Sequence, residues 1–289
     1  MEHSIIHGGY FYSSSTMQDS MFGLVHCFIT NFPNSPSQSQ SRYLLQRLAI
    51  FYYQSFVLNH DNANCMFSTK FSTIIKIAES FFPVQPSEHL PQLDNFDSVL
   101  NFFTFCNLII LQNVLDPLTY IYSHQGNISD LTEDQIKTMD LYDFNAMSLH
   151  DRRRATYARG LCKHLISWLS SQYRFTSESG DVVDGSKLFY FYLGTQAAAL
   201  FVYKRLAEAE GVRGVPGCTQ ATLRRQIEWC IERSPHCLKA FSMSIQHDFK
   251  VLGYTGPKYC VEKKPGPIEF FAFSQYKLLI NLVFFLNNY

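Results

Sequence analysis

Two neighbouring stretches, His150–Tyr173 and Lys187–Gly211, constrain the fold more than any other part of the chain. In the first, small and apolar residues recur every three or four positions while polar residues occupy the other side, which predicts an amphipathic helix. In the second, Leu188–Tyr203 is apolar nearly all round, which is typical of a helix buried on most sides. The residues expected to pack in the core of these helices are Ala158, Cys162, Ile166, Trp168, Leu169, Tyr192 and Ala198.

The rest of the chain repeats the helical pattern without convincing alternation of apolar and polar residues. Further helices are predicted at Met17–Phe32, Arg42–Leu58, Ser68–Phe82, Thr219–Arg233, Pro235–Leu252 and Ile268–Asn288, and another, capped by Asp94 or Asp97, runs through Leu111. Ser148, with Asp151 three residues further on, is expected to cap the helix of His150–Tyr173 as a capping box. Thr176–Gly185 and Gly253–Pro267 are predicted loops, because Gly, Ser, Pro and charged residues cluster there. The sequence therefore predicts an all-α fold, a multi-helix bundle or solenoid-like single domain over residues 17–289. A disordered segment, 1–16, precedes it, and a sub-boundary is expected near 124–147.

Composition excludes several classes of function. The 289 residues carry 24 basic and 24 acidic side chains, so the net charge is zero and no electrostatic footprint of a nucleic-acid binder is present. Eight scattered cysteines predict reduced, structural thiols. The first residues lack a basic and apolar leader, and no apolar run reaches bilayer length. We therefore expect an intracellular protein, in the nucleus or cytoplasm, without a membrane span.

Two short motifs resemble phosphate or metal sites only in outline. Gly211, Gly214 and Gly217 follow a helix instead of a strand, and their spacing fits neither the dinucleotide fingerprint nor the Walker A loop. Gly211 is instead expected to end the preceding helix. Asp181 and Asp184 form a D-x-x-D pair, but glycines flank it, whereas a magnesium–diphosphate site needs carboxylates on a rigid helix. We predict a solvated loop.

Cysteine, histidine and arginine clusters are equally weak as site predictors. Four residues could suggest a zinc site, namely Cys230, His236, Cys237 and His247, but their spacing contains no C-x₂-C pair. A run of three basic residues opens the amphipathic helix: Arg152, Arg153 and Arg154. The helix macrodipole disfavours cations at that end, so this run is either the solvated helix start or a contact for an acidic partner. The sequence predicts no catalytic, cofactor-binding or metal residue.

The order of small and aromatic residues over the middle of the chain carries one family resemblance. An aromatic-rich helix, Phe102–Pro117, ends at a proline corner. The helices that follow carry Ala158, Cys162, Ile166 and Leu169, then Tyr192, Ala197, Ala198 and Leu200, then Cys237 and Ala240. This order, over Leu100–Leu252, resembles the regulatory middle homology domain of fungal-specific transcription factors. Gln112–Pro117 departs from that family's His-Arg-Pro corner, and the zinc-cluster cysteines are missing.

The resemblance implies a non-enzymatic regulatory domain. Such a domain binds a protein partner, a DNA-binding chain or a small apolar effector, and this chain alone is not expected to bind DNA specifically. Two alternatives remain: an all-α enzyme or carrier with an aromatic-lined apolar cavity, and a structural interaction protein without a ligand. A closed apolar cavity holding two or more ionisable groups would favour the enzyme, whereas a filled core favours regulation.

Overall fold

The structure, a computed structural model, describes residues 13–31, 37–58, 90–121, 146–231, 234–246 and 252–264. Several predictions fall outside these ranges: the helices Ser68–Phe82 and Ile268–Asn288, most of the segment 1–16, and most of the sub-boundary near 124–147.

Helix dominates the described part of the chain, as predicted. The seven α-helices there are α1 (Met17–Ile29), α2 (Ser37–Tyr52), α3 (Phe96–Ile110), α4 (Leu149–Gln172), α5 (Gly185–Ala209), α6 (Gln220–Ile231) and α7 (Pro235–Gln246). A π-helical turn, Tyr53–Val57, extends α2, and a 3₁₀ turn spans Pro117–Thr119. Within these described helices, none has both the length and the apolarity that a bilayer crossing requires.

A small sheet corrects the all-α expectation. Its strands are β1 (Tyr173–Ser177), β2 (Val182–Val183) and β3 (Tyr259–Lys263), in the order β2-β1-β3 with both pairings antiparallel. The two predicted loops at Thr176–Gly185 and Gly253–Pro267 therefore contain strand. The pattern escaped detection because β2 has only two residues and β3 pairs with a strand far away in sequence. Phe175 sits opposite both Val183 and Val261, and its ring is fully buried.

The long helices α4 and α5 meet the sheet without intervening loops. Ser148 caps α4 by accepting a hydrogen bond from the Asp151 amide at 3.1 Å, and its hydroxyl donates to the Asp151 carboxylate at 2.7 Å. The predicted cap at Ser148, with Asp151 three residues further on, is thus confirmed. Strand β1 begins directly after Gln172, and the hairpin turns at Gly180 with φ +87°.

The end of α5 confirms the predicted glycine cap. Gly211 adopts φ +80°, and its amide donates to the Glu208 carbonyl at 3.0 Å. The Val212 amide donates to Ala207 at 2.9 Å, which completes a Schellman motif. The cap of α3 is a correction, because Asn95, not Asp94 or Asp97, accepts from the Ser98 amide at 2.9 Å. An Asn with extended backbone satisfies this position as well as Asp does.

The core lies where α3 and α5 are enclosed by α1, α2, α4 and α7. Every side chain from Val99 to Ile110 is buried, and α5 is buried on most sides as its apolar sequence predicts. Aromatic rings fill the centre, with Phe103 edge-on to Phe189 at 5.3 Å between ring centroids.

Candidate functional site: a groove between two helices and the sheet

An open groove of about 450 Å³ lies between α5, α7, β2 and the chain segment that leads into β3. Its lining residues are Val183, Lys187, Leu188, Phe191, His236, Lys239, Met243, Tyr254, Pro257 and Tyr259. The volume falls within the range of small-molecule sites, and the lining combines aromatic and aliphatic surface with a few cationic groups.

Helical spacing brings the groove residues of each helix to one face. On α7, His236, Lys239 and Met243 follow each other at three and four residues, so their side chains project from the same side. On α5, Lys187 and Phe191 are four residues apart. Phe191 is 43% exposed and Met243 42% exposed, so both offer apolar surface to the groove.

A glycine brings α5 and α7 together beneath the groove. A Cβ atom at Gly194 would lie 2.8 Å from the Ala240 Cβ and closer still to the carbonyl oxygen of Cys237. Only glycine allows this approach, since a side chain would overlap the backbone of the opposite helix. Because the two helices are in direct backbone contact, the floor of the groove is rigid.

The outer wall of the groove is the chain segment with Tyr254, Pro257 and Tyr259, and Tyr254 packs it against the core. Its ring packs edge-on against Tyr192 at 5.5 Å and Phe96 at 5.3 Å, and its hydroxyl donates to the Pro257 carbonyl at 2.9 Å. Burial raises the pKa of Tyr254, and the adjacent Tyr259 raises it further. Tyr254 is therefore a neutral phenol that closes the loop onto the helices.

A buried polar chain runs behind this wall. The Tyr192 hydroxyl lies 3.1 Å from the Thr104 hydroxyl and accepts from the Gln196 amide at 2.8 Å. The same Gln196 amide nitrogen donates to the Leu252 carbonyl at 3.2 Å, and the Asn107 side-chain amide donates to the side-chain oxygen of Gln196. Burial raises the pKa of Tyr192 to about 12, although its bond to Thr104 opposes the rise. These bonds attach the start of the outer wall to α3 and α5.

The described lining of the groove contains few ionisable groups. Apart from the two tyrosines, these groups are Lys187, His236 and Lys239, with no carboxylate or thiol among the ten described lining residues. An acid–base pair or an activated nucleophile needs a second group that orients the first, and the lining supplies no such pair. Within the described part of the chain, no group of three or more His, Cys, Asp or Glu side chains could hold a metal ion.

The three arginines at the start of α4 lie away from this groove and contact the chain itself. The Arg154 guanidinium lies 5.0 Å from the centre of the Tyr43 ring, and the Tyr43 hydroxyl donates to Asp151 at 2.7 Å. Arg152 and Arg153 also have partners within the chain. Arg153 is exposed, whereas Arg152 and Arg154 are half-buried.

The residues expected to pack in the core are almost all buried. Ala158, Cys162, Ile166, Leu169, Tyr192 and Ala198 are each at most 2% exposed. Trp168 differs, because it lies between the buried residues Ile166 and Leu169 but is itself only half-buried, at the margin of the core. Its ring stacks on Phe56 with 4.6 Å between centroids.

The aspartate pair serves the local structure. Asp184 caps α5 by accepting from the Lys187 amide at 2.9 Å, and Asp181 lies in the hairpin turn, where it accepts from Ser179 at 2.6 Å.

The cysteine and histidine set is dispersed. Cys237 is fully buried, Cys230 lies beside Arg159, and His236 lines the groove, while His247 lies outside the described residues. All seven cysteines in the described ranges are free thiols.

Sequence reasoning did not find the groove. Its residues come from four separate elements, so no linear spacing links them, and His236 was considered only as a metal ligand. A cation four residues before an exposed apolar residue, as in Lys187–Phe191 and Lys239–Met243, is the one local signal. That signal is common on surface helices and identifies a site only once the fold brings both helices together.

Comparisons with protein-family models, with curated proteins and with solved structures gave no match for this chain.

Proposed function

We propose that the protein is a non-enzymatic regulatory domain that binds a small effector in the groove and acts on transcription through a partner chain. The observation that carries this proposal is an open groove, lined by apolar surface and basic side chains, beside a filled aromatic core. Its lining offers apolar surface and cations but no pair of groups for acid–base or nucleophilic chemistry. Binding without turnover is the behaviour that such a lining supports.

The transcriptional part of the proposal rests on the resemblance to the middle homology domain. Specific DNA readout needs an element that reaches base edges and several phosphate contacts to position it. The chain is neutral overall, and its longest basic run, at Arg152–Arg154, packs at least partly against the chain itself. In this proposal, a partner chain with its own DNA-binding module supplies that contact, and the protein acts in the nucleus.

A tethering assay tests this function. The full chain is fused to a heterologous DNA-binding domain and expressed in cells with a reporter gene downstream of the matching operator. We expect reporter expression to change several-fold relative to the DNA-binding domain alone. Phe191→Ala in the groove should reduce this change, whereas Phe22→Ala should not, because Phe22 is a similarly exposed phenylalanine on α1, outside the groove.

Two results would contradict the proposal. One is a fusion present at normal level that leaves the reporter unchanged. The other is sub-micromolar, sequence-dependent binding of the purified chain to promoter duplexes at physiological salt, which would make a DNA-binding partner unnecessary.

A further inference from the structure

The charged side chains among the ten described residues that line the groove are all basic. Lys187 and Lys239 are exposed along its lining, His236 lies beside them, and none of the ten lining residues is acidic. The nearest carboxylate along the chain, Asp184, accepts the Lys187 amide and the Ser170 hydroxyl and is thus committed to the cap of α5. Among the described residues that line the groove, no carboxylate is available to pair with either ammonium group.

Two helices also begin at this site. Lys187 is the third residue of α5 and His236 the second residue of α7, so both lie in a first helical turn. The positive end of the helix macrodipole favours anions near such turns and adds to the side-chain charges. On each helix the lysine precedes an exposed apolar residue by one turn, Phe191 on α5 and Met243 on α7.

We propose that the groove binds an amphiphilic monocarboxylate, a small molecule with one acid group and an aliphatic or aromatic body. The carboxylate accepts hydrogen bonds from the ammonium groups of Lys187 and Lys239. The aliphatic or aromatic body of the ligand covers Phe191, Met243 and the two lining tyrosines, Tyr254 and Tyr259, and removes their apolar surface from water. This inference rests on the proposed function only in naming the ligand as the effector, because binding itself is independent of regulation.

Displacement of a fluorescent probe from the purified full chain tests the inference. The probe is 8-anilinonaphthalene-1-sulfonate, and the competitors are decanoate and decanol, which have the same chain length but differ in charge. We expect decanoate to displace the probe at a concentration about tenfold lower than decanol, because only the acid forms charge-assisted hydrogen bonds. Decanoate should also raise the melting temperature of the protein.

Lysine variants separate charge from apolar contact. Lys187→Met and Lys239→Met keep the aliphatic stem and remove the ammonium group. Together they should weaken decanoate binding about tenfold or more and leave decanol within about twofold. Lys263→Met is the matched control, since this lysine is exposed on β3 outside the lining, and it should change neither competitor. Phe191→Ala should weaken both.

The inference is overturned if decanoate and decanol compete equally, or if the lysine variants bind decanoate as well as the wild type does. Melting curves show whether each variant is folded, and both exposed lysines are expected to be replaced without loss of stability. The outcome is separate from that of the tethering assay. If the chain binds decanoate but leaves the reporter unchanged, the regulatory function is wrong and the ligand class stands. If the chain changes the reporter but does not prefer decanoate, the ligand class is wrong and the regulatory function stands.

Discussion

Replacing Gly194 by alanine tests the helix contact that forms the floor of the groove. In an unobstructed helix, alanine is more stable than glycine by about 1 kcal/mol. At this position the new methyl group would overlap the Cys237 carbonyl oxygen and the Ala240 side chain, and neither is the end of a flexible side chain. Overpacking of this kind costs about 3 kcal/mol at the upper end of its range. The net expectation is a loss of about 2 kcal/mol.

Gly160→Ala is the matched control. Gly160 lies inside α4, and a Cβ there would meet nothing within 4 Å. This change should therefore stabilise the protein by about 0.5–1 kcal/mol. The two substitutions are chemically identical and differ only in the space around the new methyl group.

Thermal unfolding followed by circular dichroism measures both variants. About 2 kcal/mol corresponds to a fall in melting temperature of roughly 4–8 °C for Gly194→Ala, whereas Gly160→Ala should melt slightly above the wild type. Because Gly194 supports the groove, its variant should also bind the fluorescent probe more weakly. If Gly194→Ala were as stable as Gly160→Ala, the close approach of α5 and α7 would be wrong.

Three further changes test other parts of the structure. Trp168→Ala should cost about 1–3 kcal/mol in urea unfolding, less than the 3–5 kcal/mol range of a fully buried tryptophan, and a larger loss would mean that its ring lies inside the core. Glu208 has a pKa below its usual value, because the hydrogen bonds from Lys204 and Gln220 outweigh the effect of burial, which alone would raise it. A lowered folded-state pKa gives stability that is present above the unfolded-state pKa and lost as pH falls through the folded one. The advantage of wild type over Glu208→Gln should therefore be present at pH 7 and shrink as the pH falls below about 5, and a constant difference would contradict the ion pair. Among the described cysteines, iodoacetamide should modify exposed Cys260 first and fully buried Cys237 only after unfolding, because burial raises the pKa of the Cys237 thiol and shields it; peptide mass mapping reads the order.

The helices could be predicted because their signals are local. The buried stripe of α4 repeats within the helix itself, and its cap is encoded by Ser148 and Asp151, three residues apart. The apolar circumference of α5 likewise predicts burial, and Gly211 marks its end. In each case the side chains that determine the helix and its ends are close together along the chain, so a local sequence pattern is enough to predict them.

The sheet and the groove depend on contacts that no local pattern contains. Strand β3 is defined by its pairing with β1. The sequence predicts a polar loop around Val261, and only the folded structure places Val261 opposite Phe175. The half-burial of Trp168 depends on its contact with Phe56, and the sequence of α4 does not determine where Phe56 lies. For the same reason, Lys187 and Lys239 become one site only after α5 and α7 have packed.

The absence of loops between α4, the β1–β2 hairpin and α5 has a consequence for the order of assembly. This stretch is continuous in sequence and its contacts are short-range, so closing it costs little chain entropy. Strand β3 must return from far along the chain, and it adds to the free edge of β1 with only part of its surface buried. None of the five β3 side chains is fully buried, so β3 is expected to open before the helices do. Its detachment would remove Tyr259 from the wall of the groove and widen the groove without any movement of α5 or α7.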